Sequence, residues 1–239
     1  MKDHPKRIAA LVLALALLAL LALLAGLGWV ANGLLGNPVS RMLAARTART
    51  YLEETCPDPD YVLEEVRYSF KEGGYHAYLA VPGSEDRRFT LGIGMGGRLR
   101  WDNYDSEVAG RWTTARRLDQ AYRELGDRVL ESAAFPYETH IAFTTLEFCP
   151  REALGEEGVP DYAMVQEELE LDGVYDMAEL GAQCGHLVLY LRVPGEHTAQ
   201  REAEILADVR ERLEAGGVPF RDAELVLWPM EEETFKKVA

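Results

Sequence analysis

The chain has 239 residues, of which 48% are hydrophobic, and its formal net charge at pH 7 is −15. Three basic residues and one acidic residue among the first 35 contribute +2, so the remainder carries −17. A surface of that sign disfavours nucleic-acid binding and also docking on anionic lipids driven by net charge, and its simplest role is solubility.

The first element is an apolar run of 23 residues, Ile8 to Val30, directly behind the basic residues Lys2, Lys6 and Arg7. About 20 apolar residues in a helix cross the hydrocarbon core of a bilayer with every backbone polar group bonded internally. We therefore predict that residues 1–36 form a cytoplasmic tip and a transmembrane helix, with the lipid bilayer as the partner of this run. A cleaved secretory signal is the alternative, but its apolar core is only about 7 to 15 residues long.

The orientation of this span follows from the basic residues near its two ends, because the richer end tends to stay in the cytoplasm. Three basic residues lie directly against the run, whereas the next three, Arg41, Arg46 and Arg49, follow it at a distance. We predict a single-pass protein of the cell membrane with a cytoplasmic N-terminus and extracytoplasmic C-terminal domains.

A helix and an antiparallel meander are predicted next. Ser40 is expected to cap a helix that runs to about Thr55. Alternating apolar residues between glycine-rich turns then predict four strands, at about 62–70, 75–81, 89–95 and 99–101. An amphipathic helix follows from Val108 to Val129, with Asp105 or Ser106 as its expected cap, and we expect it to cover one face of the meander.

A second domain is predicted after a boundary near residues 132–136. Strands and helices alternate there, which predicts a small α/β unit with a crossover connection. The expected elements are a strand at 138–148, an acidic excursion at 151–173, a helix at 174–183, a strand at 186–193, a helix at 198–215 and a strand at 223–228. The fold class is α+β, with domains at 37–135 and 136–239 and a frayed tail at the C-terminus.

The segment GIGMGG, Gly92 to Gly97, matches the letters of a dinucleotide-binding motif. Such a motif works only where its glycines lead from a strand into a helix that faces the pyrophosphate. Here Arg98 to Trp101 alternate as a strand, so we predict a hairpin. Gly92 and Gly94 would be bare on one face of the sheet, where another group can approach.

Candidate metal ligands do not form a recognisable set. The acidic cluster at 102–107 lacks the spacing and the central glycine of a calcium loop. Cys184 and His186 form a C-x-H pair, but zinc needs two further ligands that the sequence does not place nearby. A divalent-cation sensor that uses the acidic excursion from Glu152 to Asp172 is an alternative hypothesis. We predict no metal site and no cofactor.

Catalytic residues are not predicted either. The chain has no GxSxG and no SxxK motif, and Cys149 and His140 fall on one strand, about 30 Å apart. A hydrolase-type enzyme with an unrecognised site is the alternative function. It would require a pocket that gathers several of five side chains, namely His76, His140, Glu138, Asp102 and Cys184. A disulfide between Cys149 and Cys184 and free thiols both remain open.

Six aromatic residues concentrate around the first sheet and the helix after it: Tyr68, Tyr75, Tyr78, Trp101, Tyr104 and Trp112. Core packing explains most of such a set. Any exposed subset is the better candidate for a surface that binds a peptide or protein partner.

Three short patterns resemble the YfjL-like proteins. They are the GNP-S start at 36–40, the Y-x-F pattern at Tyr68 to Phe70, and the W-x-x-x-x-R-L pattern at Trp112 to Leu118. The likeness is best over residues 36–131. It implies a membrane segment followed by a small extracytoplasmic module, and it carries over no catalytic residue. The helix with its meander also resembles PepSY and cystatin-like arrangements, which implies interaction with a peptide or protease.

The leading functional hypothesis is therefore a non-enzymatic, membrane-anchored module of the cell envelope. It would bind or regulate another envelope component, either a protein or a peptide.

Overall fold

The computed structural model describes residues 4–56, 58–193 and 198–229; within them it leaves out the side chains of residues 4–11, 25, 29, 31 and 229. The predicted frayed tail lies outside the described residues. Contacts divide the chain into two compact units. Unit 1 comprises Met1–Gly83 and Arg88–Tyr104, and unit 2 comprises Ser84–Arg87 and Asp105–Ala239. The domain limits at 37–135 and 136–239 stay predictions.

Helix α1, His4–Leu35, contains the apolar run. Its described large apolar side chains, from Val12 to Leu35, are between 50% and 78% exposed. A helix of a soluble core would bury such side chains. By length and composition α1 can cross a membrane. It ends at Gly36, whose positive φ of 71° is the usual way to stop a helix.

Helix α2, Pro38–Glu54, follows after only Gly36 and Asn37. The predicted cap, Ser40, is wrong: the Asn37 side chain accepts a hydrogen bond from the Ser40 amide at 2.8 Å. Pro38 fits the first helical turn because the amide that it lacks would have no partner there. The buried face of α2 consists of Ser40, Ala44 and Ala48, small residues that allow close packing.

Sheet A confirms the predicted meander. It contains β1 (Val62–Ser69), β2 (Gly74–Ala80), β3 (Arg88–Gly94) and β4 (Leu99–Asp102), antiparallel and in that order. One face packs against α2 and buries Tyr75, Ala77, Leu79, Phe89, Leu91 and Ile93. Phe70, predicted to end the first strand, lies in the following turn and is 62% exposed.

The prediction that helix α3, Trp112–Leu130, covers sheet A is wrong. The helix belongs to unit 2, where Leu118 and Tyr122 are fully buried. Its predicted cap is also wrong, because Asp105 and Ser106 lie in a π-helical turn and Arg111 precedes the helix. An apolar stripe indicates that a helix face is buried but does not identify the sheet that buries it.

The remaining elements are β5 (Glu138–Leu146), β6 (Phe148–Cys149), β7 (Met164–Val165), α4 (Met177–Cys184), β8 (Gly185–Val193), α5 (Ala199–Ala215) and β9 (Asp222–Pro229). Sheet B forms the centre of unit 2, and its strands are β5, β8 and β9 in that order. Strands β8 and β9 are parallel, with α5 as the connection between them, and β5 is antiparallel to β8. Helices α3, α4 and α5 pack with sheet B around one hydrophobic core. The predicted α+β class and order of elements are confirmed.

Candidate functional site

Two tyrosines attach the end of α1 to sheet A. Tyr68 and Tyr75 are directly opposite on β1 and β2, with ring centroids 5.3 Å apart. The Tyr68 hydroxyl donates to the Gly33 carbonyl at 2.6 Å. The Tyr75 hydroxyl donates to the Asn37 carbonyl at 2.7 Å and accepts from the Asn37 amide at 2.8 Å. We call these contacts the tyrosine junction; they fix the backbone that connects α1 to α2.

The contacts of the tyrosine junction explain why glycine and asparagine occupy positions 36 and 37. A Cβ on Gly36 would overlap the Tyr68 ring and the Tyr75 hydroxyl, and the positive φ also favours glycine. Asn37 caps α2, and its Nδ2 donates to Asn32 Oδ1 at 2.6 Å. The GNP-S pattern is therefore the sequence of a tight helix-to-helix connection under two aromatic rings.

A cavity of about 390 Å³ lies beside the tyrosine junction. Its lining combines apolar, aromatic and charged groups, including Leu35, Arg41, Glu65, Arg67 and Tyr68. The Arg67 and Glu65 side chains form an exposed ion pair at 2.7 Å. Two arginines and one glutamate leave this cavity with a net positive lining, although the chain as a whole is acidic.

The second feature of unit 1 is the face of sheet A that α2 does not cover, which we call the open face. One row of paired residues crosses all four strands: Arg67, His76, Gly92 and Trp101. The Trp101 ring lies over Gly92, where a Cβ would collide with the indole, and reaches His76 at 5.4 Å between centroids. The Glu72 carboxylate lies 2.9 Å from His76 Nε2.

The glycine-rich segment thus acts as predicted, as a hairpin with bare positions. Gly92 lies under Trp101, and Gly94 lies beside the Arg100 guanidinium, which donates to the Glu72 carbonyl at 2.8 Å. Trp101 remains 38% exposed and Tyr78 is half-buried beneath Arg67, whose guanidinium carbon is 5.5 Å from the ring centroid. Two of the six aromatic residues are therefore exposed, Trp101 on the open face and Trp112, at 48%, at the start of α3.

Residues 11–103 match the YfjL-like N-terminal domain. The match begins inside α1 and ends directly after β4, so it includes the tyrosine junction and the open face. Compared with the resemblance over 36–131, it starts earlier and does not reach α3, which the structure places in unit 2. No curated protein and no solved structure matches the chain significantly.

Outside residues 11–103, unit 2 contains a cluster of Tyr162, His186 and Asp222. The Tyr162 hydroxyl lies 3.0 Å from His186 Nδ1 and donates to Asp222 at 3.4 Å. Burial, assisted by the Asp222 charge, raises the pKa of Tyr162 to about 12. The predicted C-x-H pair does not form a site, because Cys184 is fully buried in the core and burial raises its thiol pKa to about 12.

A buried ion pair is the strongest polar feature of unit 2, and sequence reasoning missed it. The fully buried Asp86 carboxylate accepts from Arg117 Nε and Nη2 at 2.7 and 2.9 Å and from the Asp172 amide at 2.7 Å. Asp172 in turn accepts from the Ser84 hydroxyl and the Glu85 amide. Burial opposes the charge of Asp86, but the bonds from Arg117 and Asp172 hold its pKa below the ordinary value.

The candidate ligands and nucleophiles of the sequence are otherwise dispersed. Glu138 pairs with Arg192, and His140 stacks on Trp228 with centroids 4.8 Å apart. Glu138 and Leu146 lie at opposite ends of β5, about 25 Å apart. Leu146 pairs with Gly185, which directly follows Cys184, so Glu138 is far from that thiol. Cys56, Cys149 and Cys184 are all free thiols. Within the described ranges, no three His, Cys, Asp or Glu side chains are placed to hold a metal ion.

Proposed function

We propose that the protein is a single-pass membrane protein whose YfjL-like domain is an extracytoplasmic binding module of the cell envelope. The tyrosine junction is the observation that carries this proposal. It ties the last turn of an exposed apolar helix to a folded sheet through hydroxyl bonds to Gly33 and Asn37. A cleavable leader needs no such attachment, whereas an anchor that positions a domain does.

Two further observations support the anchor. The apolar side chains of α1 have no protein cover among the described residues, and the family match includes α1 from residue 11 onward. Alkaline carbonate extraction should leave the full chain in the membrane pellet, and its intact mass should include residues 1–36. Release into the supernatant, or a mass that lacks those residues, would contradict the anchor.

The orientation can be tested with the native thiols. Cys56 is partly exposed, whereas Cys149 and Cys184 are buried. A membrane-impermeant maleimide should therefore label Cys56 in intact cells; mildly alkaline buffer is needed because burial raises the pKa of this thiol.

The matched control places the only accessible cysteine at the other end of the span, as Asp3→Cys in a Cys56→Ala background. That protein should be labelled only after the cells are permeabilised. The reverse pattern would show that unit 1 is cytoplasmic.

For the binding role, the open face provides an exposed tryptophan held in a fixed orientation over Gly92. Rigid aromatic side chains of this kind often supply much of the energy of a protein interface. A photo-crosslinking residue in place of Tyr78 should capture an envelope protein or peptide, and Trp101→Ala should reduce the yield. The same probe at Val174, which is fully exposed in unit 2, is the control. Equal or absent crosslinking at the two positions would contradict the proposal.

A further inference from the structure

Charge is unevenly distributed along α2. Arg41, Arg46 and Arg49 are exposed, and no acidic residue occurs between positions 37 and 52. Among the described residues, none of these three guanidinium groups forms an ion pair with a carboxylate. The acidic residues Glu53 and Glu54 come only at the end of the helix that is farthest from α1. The part of α2 from Pro38 to Arg49 therefore carries three positive charges and no negative charge.

Charge is also unevenly distributed between the two ends of sheet A. Ser69 pairs with Gly74, and Gly74 pairs with Gly94, so the β1–β2 and β3–β4 turns lie at one end of the sheet. These turns contribute the basic residues Lys71 and Arg98 and one acidic residue, Glu72. The opposite end of the sheet adjoins the segment before β1, which contains Asp58 and Asp60.

The basic end of the sheet is also the end that carries α1. Tyr68 is two residues before the exposed Phe70 of the β1–β2 turn, and its hydroxyl contacts Gly33 near the end of α1. Large apolar side chains are exposed around this point: Leu35 at 78%, Val39 at 67%, Met42 at 72% and Phe70 at 62%. Exposed apolar side chains with interspersed arginines are typical of surfaces that lie in the headgroup layer.

We infer that this end of unit 1 docks on the anionic surface of the bilayer that α1 spans, with Val39, Met42 and Phe70 entering the interface. We call it the basal surface. Its arginines would hydrogen-bond to lipid phosphate oxygens, for which the planar guanidinium is well suited. The inference depends on the proposed function, because α1 must cross the membrane for this end to face lipid.

The charge of −17 on the residues after position 35 does not prevent such docking. Electrostatic interactions in water fade over about 8 Å at physiological salt, so a headgroup responds mainly to the charges of the basal surface. Each arginine near an anionic leaflet shifts the contact equilibrium by about fivefold. The peripheral docking that net charge disfavours becomes favourable locally because the basic residues are concentrated beside the anchor.

The test uses the full chain in lipid nanodiscs, in a Cys56→Ala background, with a fluorophore on Met42→Cys. The control is Glu53→Cys, on the same face of α2 but about 16 Å farther along it. In discs that contain phosphatidylglycerol, lipids carrying a quencher should quench the fluorophore at position 42 and not at position 53. In pure phosphatidylcholine, or after Arg46→Gln with Arg49→Gln, contact at position 42 should fall at least about fivefold.

Several outcomes would overturn the inference. They are equal quenching at positions 42 and 53, quenching that does not depend on lipid charge or on the two arginines, or protection of position 42 by a second copy instead of lipid. Co-elution of the protein with the disc is measured first, and it tests separately whether α1 inserts into the bilayer. A chain that does not enter discs contradicts the proposed function, whereas a chain that enters but leaves position 42 in water contradicts the basal surface alone.

Discussion

The Tyr75 hydroxyl donates to the Asn37 carbonyl and accepts from the amide of the same residue, at 2.7 and 2.8 Å. A single side chain thereby bonds to both backbone groups of Asn37, the residue directly before α2. Because Tyr68 contacts Gly33 from the neighbouring strand, the helix direction is fixed at two points. Such a connection makes the end of α1 part of the folded unit 1.

Removing the Tyr75 hydroxyl should destabilise this connection. In Tyr75→Phe, the Asn37 amide loses its partner in a half-buried position, which costs about 1–3 kcal/mol, whereas the Asn37 carbonyl keeps the bond from the Arg41 amide. Hydrogen exchange should accelerate at residues 36–41, and the melting temperature should fall. Tyr78→Phe on the open face is the control and should change neither quantity appreciably. Equal effects of the two variants would mean that the junction does not depend on the hydroxyl.

Gly36→Ala separates steric overlap from backbone strain. An alanine at a positive φ costs about 1–2 kcal/mol, and at Gly36 its Cβ would also meet Tyr68 and Tyr75. Gly73 has a similar φ of 58°, but nothing lies within 4 Å of its expected Cβ. Chemical denaturation should therefore show a larger loss of stability for Gly36→Ala than for Gly73→Ala. Similar losses would remove the argument for close packing under the tyrosines.

The Asp86–Arg117 pair predicts an acid-dependent contribution to the stability of unit 2. Because the folded-state pKa of Asp86 lies below its unfolded value of about 3.9, the contribution is complete above that pH. It is lost as the pH falls through the folded-state pKa.

Asp86→Asn should cost about 3 kcal/mol near neutral pH, because it leaves Arg117 without its buried partner. The difference in melting temperature between the two proteins should shrink as the pH falls below about 4. Glu156→Gln, at an exposed carboxylate, is the control. A difference that does not change with pH would contradict the assigned charge of Asp86.

The placement of α3 in unit 2 can be tested through its core residue Leu118. Leu118→Ala should cost about 2–5 kcal/mol, because a fully buried side chain leaves a cavity. Amide protection should fall more in β8 than in β3. Leu79→Ala, a fully buried change in sheet A, should give the opposite order. A larger loss in β3 for Leu118→Ala would restore the expectation that α3 covers the meander.

Local sequence patterns predicted much of unit 1. The alternation of apolar residues and the glycine turns indicated four antiparallel strands, and the bare glycines of GIGMGG indicated a hairpin. The same reasoning failed at Ser40 and Asp105, because several polar residues near a helix start can cap it. The residue that does so is decided by the path of the preceding chain, here the turn at Gly36 and Asn37.

By itself, the sequence determined the apolar helix, the class of the fold and the order of its elements, because periodicity and turn residues act between near neighbours. Only the tertiary structure decided that α3 packs on sheet B, that Asp86 meets Asp172 across 86 positions, and that Tyr75 holds Asn37 across 38. These contacts depend on which surfaces fit together, and a local pattern shows that a face is apolar or charged without showing what will meet it.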